Sequence, residues 1–131
     1  MEEEKELGFG YTFAHGATTI WEHFQGRGSM CTHNHVMFAG AAAALLTRIA
    51  GIAPAEPGFR AIAFRPVFPA KLTWAKAEVK TVSGVVRSQW QRDGCRIRLV
   101  MEVPAGARGV LALPGRTDEI LLPGMHERIW Q

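Results

Sequence analysis

Hydrophobic and polar positions along this 131-residue chain follow two different periods. From His35 to Ala50 the chain has no proline and is rich in Ala and Leu, the strongest helix formers. Asn34 is suited to cap its start, and Gly51 stands where a left-handed C′ residue ends a helix, with Pro54 and Pro57 beyond. The pattern predicts a helix over residues 35–50 that is apolar nearly all round: Val36, Met37, Phe38, Ala41 to Ala44, Leu45 and Leu46. A helix of that kind needs partners on more than one side. A weaker helix is expected over Thr12 to Phe24, where Gly16 and the run Thr18-Thr19-Ile20 lower the propensity.

From about Phe59 the period changes from 3.6 to 2. Ala75, Ala77, Val79 and Thr81 alternate with Lys76, Glu78 and Lys80, and a turn at Ser83-Gly84 follows. Val86, Ser88 and Trp90 share one face of the next strand. Asp93-Gly94 has the composition of a type I′ hairpin turn. After it, Cys95, Ile97, Leu99, Met101 and Val103 read as inward, and Arg96, Arg98 and Glu102 as outward. Val110 to Leu113 and Ile120 to Leu122 complete the set of short strands. Regular strands separated by turn residues indicate an antiparallel β-sandwich. The fold class expected is therefore α+β: a short helical segment over residues 1–58, then a sandwich over 59–131. The alternation is taken to place both Trp74 and Trp90 in the sandwich core; exposed indoles would instead suit a sugar-stacking platform.

Charge divides near the same point. Residues 1–58 carry a net −3 and residues 59–131 a net +6, giving the chain its +3. The basic residues are spaced singly along strands without interleaved aromatics, which reads as a solvated face and gives no reason to expect nucleic acid. The longest apolar run, Val36 to Leu46, is too short to span a bilayer. Two cysteines exclude a disulfide scaffold, and the acidic start Met1-Glu2-Glu3-Glu4-Lys5-Glu6 is unlike a signal peptide, so a cytoplasmic location is expected.

Two places carry candidate chemistry. Glu22 follows Trp21 in an otherwise uncharged run, a setting in which a carboxylate can serve as acid or base. The plainer reading is an exposed glutamate, or one paired with His23. The cluster Cys31-Thr32-His33-Asn34-His35 lacks any CxxC or HxxxH spacing, so no metal and no cofactor is expected, and a hydrogen-bonding loop entering the helix is the better reading.

These strings, taken in order, resemble the end of a bacterial α-L-rhamnosidase of glycoside hydrolase family 78. They are Gly16-Ala17-Thr18-Thr19-Ile20-Trp21-Glu22, Ser29-Met30, Asn34-His35, Ala50-Gly51-Ile52 and Pro57-Gly58-Phe59. The resemblance continues through Leu72-Thr73-Trp74-Ala75, Gly84, Ser88-Gln89-Trp90 and Val103-Pro104-Ala105. It implies the last helices and loops of a six-hairpin α-helical barrel, followed by the family's C-terminal sandwich. It also implies inverting hydrolysis of terminal α-L-rhamnosides, with Glu22 at the general-base position and Trp21 and His35 in the sugar pocket. The chain departs from the family pattern at His23 and Phe24, where a basic residue and a tryptophan are usual. Cys31, Thr32 and His33 replace a usual Asn-Ser-Phe.

The family's general acid has no counterpart before Glu22. The expectation is thus a fragment that is inactive alone, whose helix 35–50 would meet a second copy or a chain supplying the barrel. The alternative is a freestanding carbohydrate-binding or interaction module built on the sandwich.

Overall fold

The computed structural model describes residues 8–24 and 32–131, which form two units divided between Ala43 and Ala44. In the first unit, α1 (Phe9–Ala14) is a single short helix. The helix expected over Thr12 to Phe24 does not form, because Gly16 takes φ +80° and ends α1. Gly16 N–H donates to the Phe13 carbonyl and Ala17 N–H to that of Thr12, a Schellman closure that uses up the last carbonyls of the helix. Thr12, buried, turns its hydroxyl back onto the Phe9 carbonyl.

The stretch expected as one helix consists of three short pieces in chain order. They are a 3-10 turn (Val36–Ala39), an α-helical turn α2 (Gly40–Ala44) and a π-helical turn (Leu45–Ile49). Ala50 N–H closes the last of these by donating to the Leu45 carbonyl.

The second unit is a sandwich of two four-stranded sheets among the described residues. One sheet is ordered β1 (Ile52–Pro54), β2 (Ala61–Phe64), β6 (Arg108–Leu111), β7 (Glu119–Leu121). The other is ordered β3 (Trp74–Thr81), β4 (Gly84–Asp93), β5 (Arg96–Val103), β8 (Gly124–Trp130). All pairings are antiparallel except β2 with β6, which is parallel because the chain leaves the first sheet after β2 and returns to it only after β5. Sheet structure begins earlier than the change of period suggests, since β1 precedes Phe59. The pattern does not indicate β1, β2 or β8: β1 has only three residues, β2 is buried throughout and lacks alternation, and β8 has three polar residues in a row, His126, Glu127 and Arg128.

Between the sheets, Val86, Trp90, Ile97, Leu99, Met101 and Val103 meet Ile52, Ile62, Phe64, Leu111 and Leu121. Phe68 sets its ring edge-on to Trp90, centroids 5.3 Å apart, in a geometry that aromatic quadrupoles favour. Gly109 is packed closely on the core side of its sheet. A Cβ there would come within 3.0 Å of both Leu121 and Val103 side chains.

Two sequence expectations need correction. Cys95 is exposed, because the β4–β5 register pairs Asp93 with Arg96 and leaves Gly94 and Cys95 as the loop. Gly94 has φ +57° and Cys95 does not share a positive φ, so the turn is of the II′ kind rather than I′. Trp74 is the second correction. Trp90 is wholly buried, but Trp74 is 66% exposed. Ala75, Ala77 and Val79 pack against the core, so period 2 directs Trp74 outward with Lys76 and Glu78.

The C-terminal carbonyls of the helical stretch are satisfied by the sandwich. Helix ends leave their last carbonyls without intrahelical donors. Here Arg48 accepts from Val67 N–H (2.7 Å), Ile49 from Trp90 Nε1 (2.8 Å), Ala50 from Ser88 Oγ (2.7 Å) and Gly51 from Arg65 N–H (2.8 Å). Ser88 and Trp90 stand two apart on the inward face of β4, so successive inward side chains meet successive carbonyls. Leu46 and Ile49 add apolar contact with the same core.

Candidate functional site

In the first unit, two segments distant in sequence run side by side. Glu22 N–H donates to the Thr32 carbonyl at 2.9 Å, and His35 N–H donates to the Ile20 carbonyl at 2.7 Å. The Thr19 hydroxyl bonds the His33 carbonyl. These backbone ties bring Glu22 and His35 together, with Nδ1 of His35 3.7 Å from Oε2 of Glu22 and both side chains about a quarter exposed.

Thr32 joins them. Its backbone N–H donates to Glu22 Oε2 at 3.1 Å, and its hydroxyl donates to the same oxygen at 3.2 Å. The hydroxyl has one proton. Given to Glu22, it leaves Oγ1 as acceptor for His35 Nδ1–H, 3.0 Å away. That arrangement selects one tautomer of His35 and orients its ring. Trp21 stacks on His33 with centroids 4.6 Å apart and planes 19° from parallel.

The Thr32 bonds hold the Glu22 carboxyl below the usual glutamate range. The backbone N–H contributes most, partial desolvation opposes it, and the Thr32 hydroxyl, His35 and His23 add further lowering. A carboxyl held ionised at neutral pH can take a proton but has none to give, which suits a base and not an acid. The stability this adds is present above the ordinary glutamate pKa and is lost as pH falls through the lowered one. Replacing Thr32 by Val is expected to move the Glu22 pKa upward but not to the ordinary value, since the backbone donor remains; a carboxyl carbon titration by NMR reads this directly. No movement would mean that the hydroxyl does not hold the carboxylate.

Of the residues singled out from the sequence, Glu22 and His35 are thus in one cluster, and Trp21 is beside it with its ring against His33. Thr32 was missed as a site residue. Its partners are ten residues upstream and three downstream, so no local pattern marks it. Cys31 of the candidate metal cluster lies outside the described residues. Among the described residues no three His, Cys, Asp or Glu side chains converge on a point, and no helix is long and apolar enough to cross a membrane.

Residues 1–49 match the family described as bacterial alpha-L-rhamnosidase 6 hairpin glycosidase domain. Residues 51–124 match the bacterial alpha-L-rhamnosidase C-terminal domain. An alpha-L-rhamnosidase of Formosa agariphila is 30% identical over 119 residues, covering 85% of this chain and 13% of that protein. One of Streptomyces avermitilis is 28% identical over 126 residues, covering 90% of this chain and 11% of its own length. The crystal structure of the native rhamnosidase of Aspergillus terreus superposes with a TM-score of 0.87 at 28% identity, over 98% of this chain and 16% of that one. The chain therefore spans only about an eighth of the curated relatives it matches. With both of its parts matched in the order in which they occur, the chain belongs to the bacterial α-L-rhamnosidase family and corresponds to its C-terminal region.

Proposed function

We propose that this chain is the C-terminal portion of an inverting α-L-rhamnosidase, with Glu22 at the general-base position and Trp21 and His35 lining the sugar pocket, and that it is inactive alone. The observation that carries the role of Glu22 is its double hydrogen bond from Thr32, which fixes the carboxylate beside His35. In inversion a carboxylate draws a proton from water on one face of the sugar while a carboxylic acid protonates the leaving oxygen on the other, the two roughly 6.5–9.5 Å apart. Between Glu6 and Glu56 the chain has no acidic residue except Glu22. The second carboxyl must come from elsewhere in the barrel.

The helical segment fits that need. Val36 and Met37 of the first unit are more than 70% exposed, apolar surface that further barrel helices or a partner chain would cover. The exposed thiol of Cys95 supports a reducing, cytoplasmic setting.

The purified chain is expected to give no turnover of an aryl α-L-rhamnoside. Co-expression with the preceding part of a rhamnosidase barrel is expected to restore turnover, and Glu22→Gln in the reassembled enzyme to remove it. Hydrolysis by the isolated chain that is lost in Glu22→Gln would overturn the proposal. A second reading, a sugar-binding module, is supported by Trp74 alone, since Trp90 is buried.

A further inference from the structure

On the outward face of β3, β4 and β5 one end is neutralised, with Arg87 between Glu78 and Glu102. Around Trp74 that neutralisation is incomplete. Register places Trp74 directly across from Gln91, and Gln91 across from Arg98; in the next row Lys76 is across from Gln89. Two shallow depressions share Gln91. One, of about 340 Å³, is lined by Trp74, Lys76, Gln89 and Gln91. The other, of about 360 Å³, runs past Arg92, Arg96 and Arg98.

The charges do not cancel. Three cations of this face, Lys76, Arg96 and Arg98, stand against two carboxylates, Asp93 and the Glu127 that holds Arg98 in a fork at 2.6 and 2.8 Å. Arg92 is on the other face of β4, across from Ile97, and donates to the Phe68 and Leu72 carbonyls. Lys76 and Arg96 have no carboxylate within ion-pair distance among the described residues.

We propose that this face binds an acidic saccharide, one bearing uronate carboxylates. The Trp74 indole stacks on the apolar face of a sugar ring. The amides of Gln89 and Gln91 offer donors and acceptors to ring hydroxyls, and Lys76 and Arg96 draw in the carboxylates. Three inter-strand gaps of about 4.8 Å give a track roughly 14 Å long from β3 to β8, enough for a short oligosaccharide lying across the strands. The inference builds on the sugar-binding reading of the sandwich and stands apart from the chemistry of Glu22.

The test is calorimetric titration of the full chain with trigalacturonate, with the neutral cellotriose and with inorganic polyphosphate. Trigalacturonate is expected to bind, more weakly as ionic strength rises. Trp74→Ala is expected to weaken it about tenfold, and Lys76→Ala with Arg96→Ala to remove the salt dependence. Because all three side chains are exposed or half-buried and lie on an outer face, the variants should keep the parent's melting temperature. Binding of cellotriose equal to that of trigalacturonate, both dependent on Trp74, would keep a sugar platform but overturn the acidic specificity. Polyphosphate binding as tight as that of trigalacturonate and indifferent to Trp74 would reduce the face to unspecific charge. Absence of binding, or a change of oligomeric state in Trp74→Ala, would overturn the proposal together with the sugar-binding reading.

Discussion

Gly51→Ala is expected to unfold the sandwich at ordinary temperature. Gly51 has φ +78°, and a Cβ on it would lie 2.2 Å from the backbone nitrogen of Pro66, 2.6 Å from its Cα and 2.7 Å from the Arg65 carbonyl carbon. All three are backbone atoms, so no side-chain rotation relieves the clash. Left-handed conformation alone costs an alanine about 1–2 kcal/mol. The clash adds the cost of parting two chain segments joined by the Arg65 N–H bond to the Gly51 carbonyl. A total on the order of 5 kcal/mol is expected, at the exceptional end for a single substitution and comparable to the whole stability of many domains. Gly115→Ala is the control. It has φ +72° with nothing within 4 Å of the added Cβ, so it should lose only the conformational part, about 1–2 kcal/mol. Urea unfolding of the two variants measures the difference. Equal losses would show that Gly51 is needed only for its conformation.

Trp90→Ala is expected to be nearly as damaging, and for two separable reasons. Removing a fully buried tryptophan leaves a cavity that costs about 3–5 kcal/mol. It also strips the Ile49 carbonyl of its donor, worth a further 1–3 kcal/mol when the group stays buried. Trp90→Phe keeps most of the volume and loses the donor. It should therefore fall clearly between wild type and alanine, and Ser88→Ala, which orphans the adjacent Ala50 carbonyl, should lose about 1–3 kcal/mol. A phenylalanine variant as stable as the parent would show that the indole N–H contributes nothing to holding the helix end.

These two positions show how far the sequence pattern reached. Gly51 was legible as the residue ending a helix, because proline beyond it and a helical run before it are local signals. The reason alanine cannot replace it is not local: Pro66 crosses fifteen residues later. Trp90 was legible as core from the alternation Val86, Ser88, Trp90. Its second duty, and that of Ser88, as donors to Ile49 and Ala50 depends on which end of a helix meets that face. The alternation read for Trp90 does not carry over to Trp74, whose strand turns Ala75, Ala77 and Val79 inward and so leaves Trp74 on the other face. The turn at Gly94 and Cys95 was shifted by one residue for a similar reason. Asp-Gly composition favours one turn, while the pairing of Asp93 with Arg96 imposes another.

The candidate site divides in the same way. Glu22, Trp21 and His35 could be named from short strings that resemble a family, whereas Thr32 gained its place only through the pairing of residues 19–22 with 32–35.

What the sequence determined by itself was whatever a short window of chain decides. That covers the change of period that separates helical from strand structure, the inward faces of β4 and β5, Gly51 as the end of the helical run, and family membership. Tertiary structure alone decided the donors for the carbonyls of residues 48–51, the threonine that anchors the Glu22 carboxylate, and the exposure of Trp74. Propensity and periodicity act over a few residues. Hydrogen-bond partners, steric limits and net local charge are set by residues tens of positions apart, and these exist as neighbours only once the chain is folded.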